Sequence, residues 1–240
     1  MKKQTVRMAA TNQDREDNMK NIKCKLSLAI IVCATMCLGC KYTYIEVLPP
    51  GWKDASAASI NDNGDVAGSG YDGTGIQKGF VYKGGNYTEL LPPGKVDSFA
   101  YSINNNDDVA GGAFDGHGNQ KGFVYSGGNY TELLPPGWKG ASATSINDNG
   151  DVAGKGYDGA GIQKGFVYSG GNYTELRPPG WSRSIKISGL IIAAELSTTS
   201  INNKGTVVMT RRIGILIRNI YVYNIVKSFI ATPLQLASHL

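Results

Sequence analysis

The sequence predicts an all-β protein built from tandem four-stranded antiparallel sheets, a β-propeller-like array that is either partial or four-bladed. Three observations predict it. The octet "YTELLPPG" starts at Tyr87 and Tyr130, "YTELRPPG" at Tyr173 and "YIEVLPPG" at Tyr44, a step of 43 residues each time. Turn signals recur at short, regular intervals inside every step. No stretch of a unit carries apolar residues at helical spacing for long enough to make a helix. A period of about 40–45 residues is the length of a four-stranded propeller blade. The units are 44–86, 87–129, 130–172 and an irregular 173–240.

In the first unit the strands are "SAASI" (56–60), "DVAGSGY" (65–71), "IQKGFVY" (76–82) and "NYTELL" (86–91). Three turns separate them, at Asn63-Gly64, Asp72-Gly73 and Gly84-Gly85. Asn-Gly and Asp-Gly are signals for type I′ hairpins, whose two central residues need positive φ. The third unit repeats the first two turns as Asn149-Gly150 and Asp158-Gly159. In the third strand Ile76, Lys78, Phe80 and Tyr82 share one face, and Gln77, Gly79 and Val81 the other. Pro92-Pro93-Gly94 stops the last strand, since proline cannot donate to a ladder. Small residues at Ala67, Gly68, Gly70 and Gly79 suit closely approaching sheets. Phe80, Val81, Tyr82, Leu90 and Ile60 are the expected filling between sheets, because stacked neighbours bury what one sheet cannot.

The fourth unit departs from the pattern. Gly180 to Ser200 spans 20 residues where Gly51 to Ser59 spans 8, and "SGLIIAAELS" in the insertion reads as a short helix. "IGILIRNIYVYNI" (213–225) aligns loosely with "KGFVYKGGNYTEL" (78–90).

The phrase "INDNGDVAG" (60–68) followed by "KGFVY" (78–82) resembles the bacterial HAF-type extracellular repeat, which pairs an I-N-N-x-G-x-V-V-G segment with a later H-A-F-L-Y segment. Ile60, Asn61, Gly64, Val66, Gly68, Phe80 and Tyr82 carry the match. Ile146, Asn147, Gly150, Val152, Gly154, Phe166 and Tyr168 repeat it. The middle unit keeps Ile103, Asn104, Val109, Gly111, Phe123 and Tyr125 but has Asp107 where the turn glycine stood. The resemblance implies an envelope or extracellular location and no reaction.

The phrase itself offers Asn61, Asp62, Asn63 and Asp65 as oxygen donors, as calcium loops do. An EF-type loop needs ligands at positions 1, 3, 5, 7 and 9 and a bidentate Glu at 12. Counting from Asn61, position 12 is Asp72, at the end of the next strand. In the fourth unit Lys204 and Thr206 replace two of the donors. A turn survives those changes and a cation cage does not. The residues are therefore read as turn residues, with no metal and no cofactor; a calcium-binding repeat is the alternative.

The front end reads "MKNIKCKLSLAIIVCATMCLGC" from Met19. Lys20, Lys23 and Lys25 precede an apolar run from Leu26 to Leu38, the length of a secretory core and too short to span a membrane. It ends in "LGC", which resembles a lipobox with Cys40 as the lipidated residue; Cys37 stands where leucine is usual. Residues 1–18 read as an over-extended start, 19–39 as a signal peptide and 40–240 as the repeat domain. All four cysteines, Cys24, Cys33, Cys37 and Cys40, lie in or at the end of this segment. The expectation is an exported lipoprotein of the bacterial envelope, at the outer membrane or cell surface, whose partner is a membrane reached through its lipid.

Residues 1–39 hold seven Lys/Arg against three Asp/Glu, which leaves 17 against 16 and a nearly neutral remainder. No basic stripe with interleaved aromatics remains, which argues against nucleic acid. His117 and His239 are the only histidines, and neither sits in a catalytic motif. The reading is a non-enzymatic recognition or display module; the alternative is a glycan-active enzyme on a propeller scaffold. The candidate binding rim is the loop between sheets, where Trp52, Lys95, Trp138 and Trp181 follow successive Pro-Pro-Gly triplets. Exposed indoles there suit a glycan or protein ligand. The same recurrence also fits indoles packed between adjacent sheets.

Overall fold

The structure is a computed structural model that describes residues 44–177, 185–187, 190–217 and 220–231, with side chains described over only part of the last sheet. The leader, Cys40 and Trp181 lie outside the described residues. The first sheet contains β1 (Ser56–Ile60), β2 (Val66–Tyr71), β3 (Gln77–Lys83) and β4 (Asn86–Leu90). The second contains β5 (Asp97–Ile103), β6 (Val109–Phe114), β7 (Gln120–Ser126) and β8 (Asn129–Leu133). The third contains β9 (Trp138–Ile146), β10 (Val152–Asp158), β11 (Gln163–Ser169) and β12 (Asn172–Leu176). Each is an antiparallel meander in sequence order, so the propeller-like, tandem four-stranded architecture is as the repeat predicts.

The fourth sheet is four-stranded too but built differently: β13 (Ile185–Ile187), β14 (Leu190–Ile201), β15 (Val207–Ile217) and β16 (Ile220–Ala231). The helix expected within "SGLIIAAELS" is instead the start of β14, which pairs with β15 from Leu190 to Ile201. A ladder of that length overrides the local helix preference of Leu, Ala and Glu. The loose alignment of 213–225 also gives way. Val207 pairs with Ala231 as Val66 pairs with Tyr82, so β15 and β16 are a lengthened version of β2 and β3.

The turns are local and polar. Gly84-Gly85 has positive φ at both residues, as a type I′ turn requires. Asn63-Gly64 and Asp72-Gly73 do not form such turns, because positive φ falls at Gly64 alone and at Gly75. In their place, an Asx side chain closes a five-residue loop. Asn61 Oδ1 accepts the backbone N–H of Asn63 (3.0 Å) and Asp65 (2.9 Å). Asp72 Oδ1 does the same for Thr74 (2.8 Å) and Ile76 (3.0 Å). Asn147 and Asp158 repeat the two loops in the third unit.

Each sheet has a front face that meets the next sheet and a back face that meets the previous one. At the first seam Ala67, Val81 and Leu90 of the front face pack on Ala100, Ile103 and Val109. At the second, Ala110 and Leu133 meet Ala143, Ile146 and Val152. At the third, Ala153 meets Ile201, Val207 and Met209. Gly79 lets the sheets approach: a Cβ there would lie 3.2 Å from the Ala100 amide nitrogen. Among the described residues no sheet precedes the first back face. Ile60, expected as filling, is 67% exposed there, whereas Ile103, Ile146 and Ile201 are buried.

Candidate functional site

The thrice-written phrase runs along the seams. Asn61 Nδ2 donates to the Asn104 carbonyl (3.0 Å), Asn104 Nδ2 to the Asn147 carbonyl (2.9 Å) and Asn147 Nδ2 to the Asn202 carbonyl (2.9 Å). The preceding serines add a second row. The N–H groups of Ile103, Ile146 and Ile201 donate to the hydroxyls of Ser59, Ser102 and Ser145. Each such bond contributes about 0.5–1.5 kcal/mol net.

One asparagine thus does two jobs. Its oxygen closes its own turn and its amide nitrogen grips the next sheet. Aspartate can do only the first, since an ionised carboxylate is acceptor-only. The other turn carries Asp72, Asp115 and Asp158, and here the second oxygen has a use. Asp72 and Asp158 place it 3.0 and 3.1 Å from Lys78 and Lys164. Asp115 receives the Asn119 amide, and with the backbone amides this holds its carboxyl at about 2. In these turns one oxygen is committed to backbone amides and, at Asp72, Asp115 and Asp158, the other to a lysine or asparagine; among the described residues no group of three or more His, Cys, Asp or Glu is placed to hold a metal.

The next position forms a third row, in which Asp and Asn alternate: Asp62, Asn105, Asp148, Asn203. Asn105 donates its backbone N–H (2.9 Å) and side-chain amide (3.1 Å) to the Asp148 carboxylate. It also donates its side-chain amide to Asp62 (2.8 Å), and Asn203 donates its own to Asp148 (2.8 Å). These bonds, that from the Asn105 backbone first, hold the Asp148 carboxyl below the usual range.

Asp107 is the exception in the turns, the non-glycine residue at positive φ among the described residues (67°). Lys83 forms a short ion pair with it across the first seam and lies 3.6 Å from buried Asp65. Asn61 Nδ2 also reaches Asp107, at 3.2 Å. The Lys83 ammonium, chief among these, lowers the Asp107 carboxyl below its ordinary value.

The expected rim is not a row of exposed indoles. Trp52 is buried, edge-on to Phe80 with ring centroids 5.8 Å apart, and its Nε1 donates to Glu89 (3.0 Å). Trp138 is half-buried and meets Phe166 at the same distance and angle class. Both indoles cap the aromatic residue on the back face of their own sheet, so they pack against the sheet rather than stand in solvent as anchors. Lys95 takes the corresponding place in the second unit, with its ammonium 3.1 Å from Glu132. A slim ammonium chain does not fill an indole's space. A hollow of about 140 Å³ remains beside it, lined by Pro92, Phe123, Tyr130 and Glu132.

A larger feature had no signal in the sequence. Between the second and third sheets, at the end carrying the aspartate turns, lies an open cleft of about 580 Å³. Phe114, Gln120, Lys139, Ser142, Lys155 and Tyr157 line it. The Tyr101 hydroxyl hydrogen-bonds with Ser142 and Gln120 at its base, and burial pushes that phenol up. Tyr157 is 51% exposed at its lip. The cleft combines aromatic rings with amide, hydroxyl and ammonium groups and contains no carboxylate. Only the pairing of two neighbouring sheets brings these residues together, which is why they carry no local motif.

No family model matches the chain, and no curated protein matches it in sequence. Similar solved structures include a mutant of AofleA from Arthrobotrys oligospora (13% identity, TM-score 0.39, covering 76% of this chain and 58% of that one). A putative TolB from Agrobacterium tumefaciens is 11% identical, with a TM-score of 0.46, over 72% of this chain and 64% of that one. A fucose lectin from Kordia zhangzhouensis, solved with methyl-fucoside, is 11% identical, with a TM-score of 0.35, over 54% of this chain and all of that one. The chain thus spans about three fifths of the first two structures.

Proposed function

We propose that the chain is a recognition module of the bacterial cell envelope, held to a membrane through lipid on Cys40, that binds a glycan in the cleft between the second and third sheets. The cleft carries this reading. A binding site needs an apolar platform and a few placed polar groups. Tyr157 and Phe114 offer ring faces; Gln120, Ser142 and Lys139 offer donors and acceptors suited to hydroxyls. The cleft lining holds no carboxylate of the kind a hydrolase uses as acid and base, and Asp72, Glu132 and Glu175 are paired with lysines. Export rests on the basic, apolar leader ending in "LGC" and on the resemblance to envelope repeats.

A glycan array with the purified chain tests the binding half. Wild type is expected to retain at least one glycan, and Tyr157→Ala to lose about tenfold or more, the loss of about 1.4 kcal/mol. The thermal melt should move little, since Tyr157 is half exposed. Binding unaffected by Tyr157→Ala and Gln120→Ala would remove the cleft from the account. For the anchor, Cys40→Ser should release the chain from membranes and abolish fatty-acid labelling, while Cys33→Ser changes neither.

A further inference from the structure

We propose that the two outer faces of the described array bind each other in different copies, so that the protein self-associates head to tail. The inference is independent of the glycan reading and rests on the seams. The chain mates a front face with a back face three times by one set of contacts. The first back face keeps the same residues as the second and third, with Ile60, Val66, Tyr82 and Tyr87 where Ile103, Val109, Tyr125 and Tyr130 stand at the first seam. Yet Ile60 is 67% exposed. At the other end, Ile230 pairs with Val208 as Val81 pairs with Ala67, which places it on the front face of the fourth sheet. It is 73% exposed. One end presents Ile60 on a back face and the other Ile230 on a front face.

The polar rows specify the partner. The alternation Asp62, Asn105, Asp148, Asn203 begins with a carboxylate and ends with an amide. A second copy docked head to tail sets its Asp62 against Asn203 and continues the alternation, repeating the seam at which Asn105 donates two bonds to Asp148. The asparagine ladder continues as well, with the Asn202 amide facing the Asn61 carbonyl of the next copy. Back-to-back pairing of two first sheets would set Asp62 against Asp62, and like charges at a seam repel. The occupant of each outer face is therefore the opposite face of another copy. Such a heterologous contact closes into a ring or extends as a filament, according to the rotation it imposes.

Sedimentation velocity of the full chain in mild detergent, over a range of concentrations, tests this. Wild type should grow in mass with concentration. Ile60→Lys blocks the head and Ile230→Lys the tail, so each alone should stay monomeric. Both sites are largely exposed, and each variant's melt at high dilution should match wild type. Ile60→Asn is a milder second head variant, with the same expected outcome, should the lysine fail to fold. An equimolar mixture of Ile60→Lys and Ile230→Lys retains one intact head and one intact tail, and should form a one-to-one pair and nothing larger. A wild type monomeric throughout, variants that associate like wild type, or a mixture that stays monomeric while wild type associates would each overturn the proposal.

Discussion

Ile60 and Ile146 stand in one phrase, Ser-Ile-Asn-Asp-Asn-Gly-Asp-Val-Ala-Gly, written identically in the first and third units. Ile60 is 67% exposed and Ile146 6%. The strands that carry them differ as well: β1 is five residues long and β9 nine. Nothing in the phrase sets this difference; among the described residues a sheet precedes the one that carries Ile146 and none precedes the one that carries Ile60. Each unit encodes two half-interfaces, and the seam clusters form only where two units meet. Stability in such an array is a sum of unit and seam contributions, so identical residues carry different weight at its edge and in its middle.

The first two seams make a second comparison. At the second seam the turn keeps Gly150, and Ser126 occupies the place of Lys83. At the first, Asp107 replaces the glycine and Lys83 reaches across to it. The two departures compensate: a strained turn residue is matched by a cation from the neighbouring sheet. The middle unit's Lys95 has no such compensation, and the hollow beside it records the missing indole.

The largest expected effect sharpens the first comparison. Ile146→Ala should cost about 2–5 kcal/mol, as a buried large-to-small change does. Ile60→Ala, measured at high dilution so that the chain is monomeric, should stay within about 0.5 kcal/mol. Urea unfolding of the pair checks this, and equal costs would break the seam account. A smaller effect is expected at the hollow. Lys95→Trp should raise stability by about 0.5–2 kcal/mol, the usual yield of filling a cavity. The new indole would reproduce the Trp52 contact with its ring and glutamate, and Lys121 remains on Glu132. A lower melting temperature would show that the second unit cannot take the shape of its neighbours.

The smallest effect is the pH dependence of the first seam. The Asp107 carboxyl lies below its unfolded value, chiefly through Lys83. Its contribution is therefore fully present above the ordinary carboxylate pKa of about 3.9 and is lost as pH falls through the lower folded value. Wild type should lose melting temperature below about pH 4 more steeply than Lys83→Ser, with the two converging at the acid end. Parallel curves would remove the ion pair from the seam.

The period, the strands and the alternation of faces were legible in the sequence because turns and faces are written locally. Phe80 and Val81 fall on opposite faces in the sequence and in the sheet. The fourth unit was less legible. Leu190–Ile201 has helix-favouring residues, and only its long pairing with β15 makes it a strand. The tryptophan position was recognisable by its recurrence but not by its surroundings, since Phe80 lies 28 residues further on. The cleft was not legible, because its residues belong to two sheets. The double use of Asn61 had one visible trace: one turn always begins with asparagine and the other with aspartate. That choice acquires a reason only once the Asn104 carbonyl, 43 residues away, lies 3.0 Å from the amide.

These asparagines serve the seam as well as the turn, and a change at Asn104 separates the two roles. Asn104→Asp keeps the turn acceptor and removes the donor to Asn147. Made in a chain that already carries Asp108→Asn, it also avoids repulsion from the neighbouring carboxylate, which now accepts from Asn104 at 3.1 Å. Asn202→Asp is the reference. Its oxygen closes the same turn, onto Lys204 and Thr206, at the end of the ladder. In urea unfolding at high dilution, Asn104→Asp should cost about 1–3 kcal/mol more than Asn202→Asp, the penalty for stranding a buried polar partner. Equal costs at the two positions would reduce the asparagines to turn formers and contradict the account.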